Sequence, residues 1–420
     1  MPDADLSTLA VLLGLVAAHR VVLSLLGWSP GRLTRLAWAH FVARCLLALA
    51  YLLIIEIQYD GRGDAIHYHM AGANYSRLWW EGGWSFFNAE PLGPGSLGTD
   101  AVRRIAVAVE IVIGTNLLAL GLVFGFLAHC GVLLICSSFG PNPERQADFL
   151  RRLLMVPSAL FWTSTVGKDA LTLLAIGFSI RSCTEARIGR LLLFGLGFLL
   201  AAAVRPHLGV AISFAISSAH ILAEHSPAKR IALAVAGSVL VYALAGSALE
   251  RMSVDIDDMD SITASIDQRA ASTFRGGSKA IAQESGMAAR LVAIVCRPLP
   301  WESTNGLMLL CSLELLGLWL WGVSRVRSQP KMLHDPSVQL IACALIALAL
   351  TLMTAVAVGN FGILARQRAP ILVMAILVLE FGPRESTCSR SRVPALPMAA
   401  TVSQTYPSDP DGAGAPNDRK

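Results

Sequence analysis

Six stretches of this chain, Leu6–Trp28, Ala39–Tyr59, Asn116–Phe139, Ile231–Leu249, Gly306–Val323 and Val338–Val358, are apolar almost throughout. Each is close to the ~20 residues a helix needs to cross the hydrocarbon layer of a bilayer. Backbone N–H and C=O groups find no water in lipid, so such segments must pair them internally as helices. With 54% hydrophobic and 15% charged residues and a mean hydropathy of +0.57, an ordinary soluble domain is excluded. Shorter apolar arms and a last segment, Ala369–Phe381, bring the expected total to about eleven passes. The fold class is therefore all-α, a polytopic transmembrane helix bundle in which several helices are short and paired.

Two hairpins carry cations at their tips. Phe149–Val166 leads to Gly167-Lys168-Asp169 and returns through Leu171–Ile180; Leu191–Val204 leads to Arg205-Pro206-His207 and returns through Leu208–Leu222. Arg151 and Arg152, Arg181 to Arg190, and Lys229 and Arg230 bound the arms at their other ends. Short basic loops mark the cytoplasmic side, so Lys168, Arg205 and His207 are expected on the external face. The same rule puts Arg32, Arg35, Arg325–Lys331 and Arg384–Arg392 inside, and the long polar loops at 60–104 and 250–300 outside.

The formal charge of +5 follows from these orienting residues and calls for no nucleic-acid partner. Residues 1–384 form the expected integral membrane domain, and the Ser-, Pro-, Gly- and Asp-rich 385–420 a disordered cytoplasmic tail. The first apolar run contains His19 and Arg20 and lacks a preceding basic segment, so it reads as a retained helix with Asp3 and Asp5 outside. Five of the eight cysteines lie in predicted helices, where cysteine acts as a small apolar residue, and none shows metal-ligand or disulfide-framework spacing.

The first external loop runs Asp60-Gly-Arg-Gly-Asp64-Ala-Ile-His67-Tyr68-His69 and continues into Trp79, Trp80 and Trp84, a composition suited to a helix at the membrane interface. An aspartate just after a transmembrane helix, with a tyrosine four residues on, resembles the first loop of GT-C glycosyltransferases that use polyprenyl-phosphate sugars. A carboxylate there is chemically suited to accept a proton from an attacking hydroxyl. It is equally suited to capping the interface helix. His67 and His69 fall on different faces of that helix, which is a poor start for a metal site.

Pro157-Ser-Ala-Leu-Phe161-Trp162-Thr-Ser-Thr-Val-Gly167-Lys168-Asp169 is similar to a segment of bacterial membrane proteins of surface-polysaccharide assembly. Arg205-Pro-His207, Arg297-Pro-Leu-Pro-Trp301-Glu302 and Asn360-Phe-Gly-Ile-Leu-Ala-Arg366-Gln-Arg368 extend the resemblance over about residues 60–380. It implies a GT-C-like fold and undecaprenyl-(di)phosphate-linked donors, as in O-antigen or exopolysaccharide polymerases. The first external loop lacks the DxD or ExD signature of GT-C enzymes.

Lys168, Arg205, Arg297, Arg366 and Arg368 all fall on the expected external side, where charges at membrane depth face a cavity or a partner. Arginine matches phosphate with a planar fork of donors and lysine with a point charge. Alternatively Lys168 pairs with Asp169 and Arg297 with Glu302, and the rest reach water. In the second loop, the acidic run Asp255–Asp260 lacks the glycine and terminal glutamate of a calcium loop, and Gly276-Gly277 reads as a turn or a close approach to a ligand.

These features make a membrane glycosyltransferase or glycan polymerase of the bacterial inner membrane the leading expectation, with Asp64 as catalytic base. Tyr68, Lys168, Arg205, His207, Arg297, Arg366 and Arg368 are the expected substrate contacts. No cofactor or metal is required if arginines neutralise the leaving diphosphate. Expected partners are a lipid-linked sugar, membrane lipids and polysaccharide-assembly proteins. A flippase for the same lipids and a noncatalytic subunit of an assembly complex are the alternatives.

Overall fold

The computed structural model describes residues 6–59, 61, 63–83, 98–224, 226–235, 237–239, 287–328, 336–357 and 361–382. Their regular structure is helical, with no strand among the described residues. Among the described residues, eight helices are long and apolar enough to cross a membrane. They are α1 (Leu6–Leu25), α2 (Arg32–Tyr59), α5 (Leu117–Ser137), α9 (Arg187–Val204), α10 (Pro206–Ala223), α12 (Gly306–Ser328), α13 (Val338–Ala357) and α14 (Phe361–Phe381). Between them stand α3 (Asp64–Trp80), α4 (Thr99–Ile113), α6 (Pro143–Leu154), α7 (Pro157–Trp162), α8 (Lys168–Ser182) and α11 (Met287–Cys296). Parts of Ile231–Leu249, most of the second polar loop with Asp255–Asp260 and Gly276-Gly277, and the 385–420 tail lie outside the described residues.

The first expected hairpin takes a different shape. Phe149–Val166 is three pieces: amphipathic α6, which buries Phe149, Leu150 and Leu153, then six-residue α7, then a turn. Pro157 is the cause, since it has no N–H to continue α6 and disfavours helical backbone at Val156. The returning helix α8 has 15 residues, about 22 Å at 1.5 Å each, and is shorter than the hydrocarbon layer. It is nevertheless the centre of the core, with Ala170 to Ile176 all buried between α5 and α9.

Small residues allow that central position. A Cβ on Gly177 of α8 would stand 2.5 Å from the Gly131 carbonyl of α5, and one on Gly197 of α9 would stand 2.7 Å from the Ala175 carbonyl. Helix backbones can touch only where side chains are absent, and lipid supplies no hydrophobic drive to replace that close packing.

Short α7 is held at both ends by charged groups from neighbours. Glu314 of α12 accepts from the Ser158 N–H (3.0 Å) and hydroxyl (2.6 Å) at its start. Fully buried Arg44 of α2 donates to the Thr163 carbonyl (2.9 Å) and hydroxyl (3.0 Å) at its end. Anion at the N-terminus and cation at the C-terminus complement the helix dipole. The turn Thr163–Gly167 that presents Lys168 is thereby fixed from two sides.

A second buried polar group joins α1, α2 and α5. His129 shares hydrogen bonds with His40 (Nδ1 to Nδ1, 2.7 Å) and with His19 (Nε2 to Nδ1, 3.2 Å), and the three rings have no exposed surface.

Helix α14 begins at Phe361, well before the expected Ala369, and continues through Pro370. Arg366 and Arg368 are therefore helical. At its far end Glu380 accepts from Arg152 Nε at 3.0 Å and lies 3.5 Å from Arg325, while Arg152 also stacks over Trp321. Arg32 likewise pairs with Glu144 and, at 2.8 Å, with Asp148, and Arg181 donates to the Ser137 carbonyl. The arginines expected on one face of the membrane thus sit at one end of α2, α8 and α14. Asp64, Lys168 and Arg366 sit at or beyond the other end.

Candidate functional site

At that second end, a cavity of about 680 Å³ opens between α3, α4, α8, α9, α10, α13 and α14. Asp64, Tyr68, Lys168, Arg205, His207 and Arg366 line it, together with His67, Thr99, Arg103 and Gln367. Leu208, Leu350, Met353 and Ile363 form its apolar wall. Six of the eight expected site residues converge here.

Arg366 is the hub. Its Nη1 donates to Asp64 Oδ2 at 2.8 Å and its Nε donates to Asp169 Oδ2, whose other oxygen accepts from Arg205 at 2.6 Å. These three bonds tie the starts of α3 and α8 and the α9–α10 corner to α14. Asp169 is buried with both oxygens occupied by arginine, which is how a charge away from water is stabilised. Lys168 makes no hydrogen bond or ion pair among the described residues and stands beside the Gly98 turn. Gly98 adopts φ +72, open to glycine at little cost, and its N–H bonds to the Ala203 carbonyl, closing the first loop onto the end of α9. Two carboxylates against Arg205, Arg366 and Lys168 leave the cluster one positive charge in excess.

Asp64 is the first residue of α3, one position inside the Gly63 cap, and no side chain caps the helix. The helix-capping alternative is therefore not realised, although the position in the first turn still favours a negative charge. Tyr68, one turn on, is buried and shares a hydrogen bond with Thr99. Burial, and then the Asp64 charge, push its phenol upward, so it stays protonated as a donor.

Arg297 and Arg368 are placed elsewhere. Arg297 Nε bonds both oxygens of Glu302, at 2.8 and 3.0 Å, as the pairing alternative anticipated. Buried Arg368 donates to the Ala293 and Arg297 carbonyls at the end of α11. The cause is helical phase: two residues after Arg366, Arg368 points some 200° around α14, to another neighbour. The Lys168–Asp169 pairing is replaced by the two arginines on Asp169. Asp169 itself belongs in the cluster; an aspartate within an apolar run implies a buried cationic partner, which was the available signal.

The α3–α4 pair also buries a carboxyl. Glu110 of α4 is buried, with Oε1 on His69 Nδ1 at 2.6 Å and Oε2 without a partner among the described residues, and only glycine at 72 leaves room for it. His69 thus faces away from the cavity that His67 lines. Burial raises the Glu110 pKa, offset in part by the bond to His69. A raised carboxyl binds its proton more tightly in the folded state, so the stability it contributes is present at low pH. That contribution is lost as pH rises from the ordinary carboxyl value through the raised one. Glu110→Gln should flatten the fall in melting temperature across that window, in scans from pH 4 to 8. An unchanged profile would show that Glu110 does not titrate there.

No protein-family model, curated protein or solved structure matches this chain.

Proposed function

We propose that this protein is a membrane glycosyltransferase or glycan polymerase. It takes sugar from a polyprenyl-(di)phosphate donor at the external face of the bacterial inner membrane, in surface-polysaccharide synthesis. The observation that carries the reading is the cavity itself. A half-exposed carboxylate, a lysine without an ion pair among the described residues, three arginines and a buried tyrosine meet there beside an apolar wall, at one end of a membrane-spanning bundle.

The chemistry follows from those groups. Lys168, with the Arg366 and Arg205 donors that Asp169 does not take, holds the diphosphate and stabilises its departure as negative charge develops on the bridging oxygen. Asp64 accepts the proton of the acceptor hydroxyl as the anomeric carbon takes on oxocarbenium character. Tyr68 donates to the acceptor or the sugar. Leu208, Leu350, Met353 and Ile363 receive the first isoprene units, out of water.

Reconstitution with a defined polyprenyl-diphosphate oligosaccharide, scored by product length, tests the reading. Arg205→Ala should weaken donor use by about one to two decades, the scale of one charge-assisted contact, and should lower the melting temperature less than loss of Asp169 does, because Asp169 keeps its bond to Arg366. Arg205→Lys should restore only part, because an ammonium lacks the planar fork. Equal loss of fold and donor use would mark Arg205 as structural.

A flippase for the same lipids is the second reading, favoured by the His19–His129–His40 chain and Arg44, polar groups buried within spanning helices. Vesicles that move labelled lipid-linked sugar between leaflets without transferring it would support that reading over the first.

A further inference from the structure

The two carboxylates on Arg366 are held very differently. The Asp169 side chain is 1% exposed and bound by two arginines, whereas that of Asp64 is 57% exposed and, among the described residues, bound by Arg366 alone. We propose that Asp64 is an internal competitor for the phosphate site: it holds Arg366 Nη1 until a phosphate-type dianion displaces it. The displacement then releases the carboxylate to act on the acceptor.

This rests on the donor-site reading above and adds its regulation. Asp169 cannot yield the guanidinium, since leaving would strand a buried charge with no water to solvate it. Asp64 can, because water already reaches it and the first turn of α3 continues to stabilise its charge. With Nε committed to Asp169, the Nη1–Nη2 edge of Arg366 is the fork that a phosphate would take, and Asp64 sits on one tine of it. Lys168 and the excess positive charge of the cluster favour the exchange. In the unloaded site Asp64 Oδ2 is occupied by Arg366 Nη1, so the carboxylate is released to face an acceptor only when a donor is bound.

The test is calorimetric binding of inorganic pyrophosphate, and in a second arm of geranylgeranyl diphosphate, to the full-length protein in nanodiscs at fixed ionic strength. Asp64→Asn and Asp64→Ala should bind both ligands about fivefold more tightly than wild type, the scale of one part-exposed ion pair. A role for Asp64 confined to the acceptor predicts no change. Equal or weaker binding in both variants overturns the exchange alone. Absence of saturable binding to all three proteins overturns the anion site as well. In the wild-type arms, tighter binding of the prenyl ligand identifies a lipid headgroup as the source, and equal binding a free anion; the Asp64 effect is required with whichever ligand binds. A measurement needing no variant is amide hydrogen exchange at residues 64–68 of the wild type. Pyrophosphate should speed it as the tie to α14 breaks, and slower or unchanged exchange at saturation overturns the proposal.

Discussion

Asp64→Asn should insert, fold and bind lipid-linked donor, yet turn over about two to four decades more slowly than wild type, the scale of general-base catalysis. Asparagine matches aspartate in size and can still accept a hydrogen bond from Arg366, but it cannot take a proton from a hydroxyl. The side chain is more than half exposed, so loss of its ion pair should cost about 1 kcal/mol of stability or less. Single-turnover assays with a defined donor and acceptor, run beside melting curves, separate the two effects. Turnover within about threefold of wild type would remove Asp64 from the proton-transfer role.

Asp169→Ala should do the reverse and act on the fold. It leaves Arg205 and Arg366 facing each other, the latter still paired with Asp64, around a buried space with no countercharge. Removing one partner of a buried ion pair typically costs about 3–5 kcal/mol. Denaturant titration in detergent, followed by tryptophan fluorescence, should show a loss of that size for Asp169→Ala and a small one for Asp64→Ala. Similar losses in both would mean that the two carboxylates share one structural role.

Hydropathy made much of the bundle legible, because a run of some 20 apolar residues has few alternatives to a spanning helix. It was misleading where apolar content and helix continuity part company. The run 149–166 reads as one arm until Pro157 is weighed as a break, and Ala369–Phe381 reads as a short arm because Arg366 and Arg368 look like a loop. In the cluster, Asp64, Lys168 and Arg205 were readable as charges at the ends of apolar segments. Arg366 was readable too, but its pairings were not: it lies 197 residues from Asp169 and 302 from Asp64, and no local period encodes such contacts. The division between Arg366 and Arg368 needed the helix first, since only its phase sends two adjacent cations to different neighbours. The histidine chain draws one member from each of three helices, and each alone looks like an isolated polar residue in an apolar run.

Pro370 stands four residues after Arg366 within α14. A helical carbonyl is normally bonded by the N–H four residues ahead, and proline has none, so the carbonyl left without its donor is that of Arg366 itself. The first two turns of α14 are joined to the rest of the helix more loosely than unbroken turns would be. Beyond the proline, Glu380 is moored to Arg152 and Arg325. The guanidinium at the centre of the cavity therefore rides on a short jointed segment hung from an anchored rod, and its own tie to Asp169 sets where that segment rests.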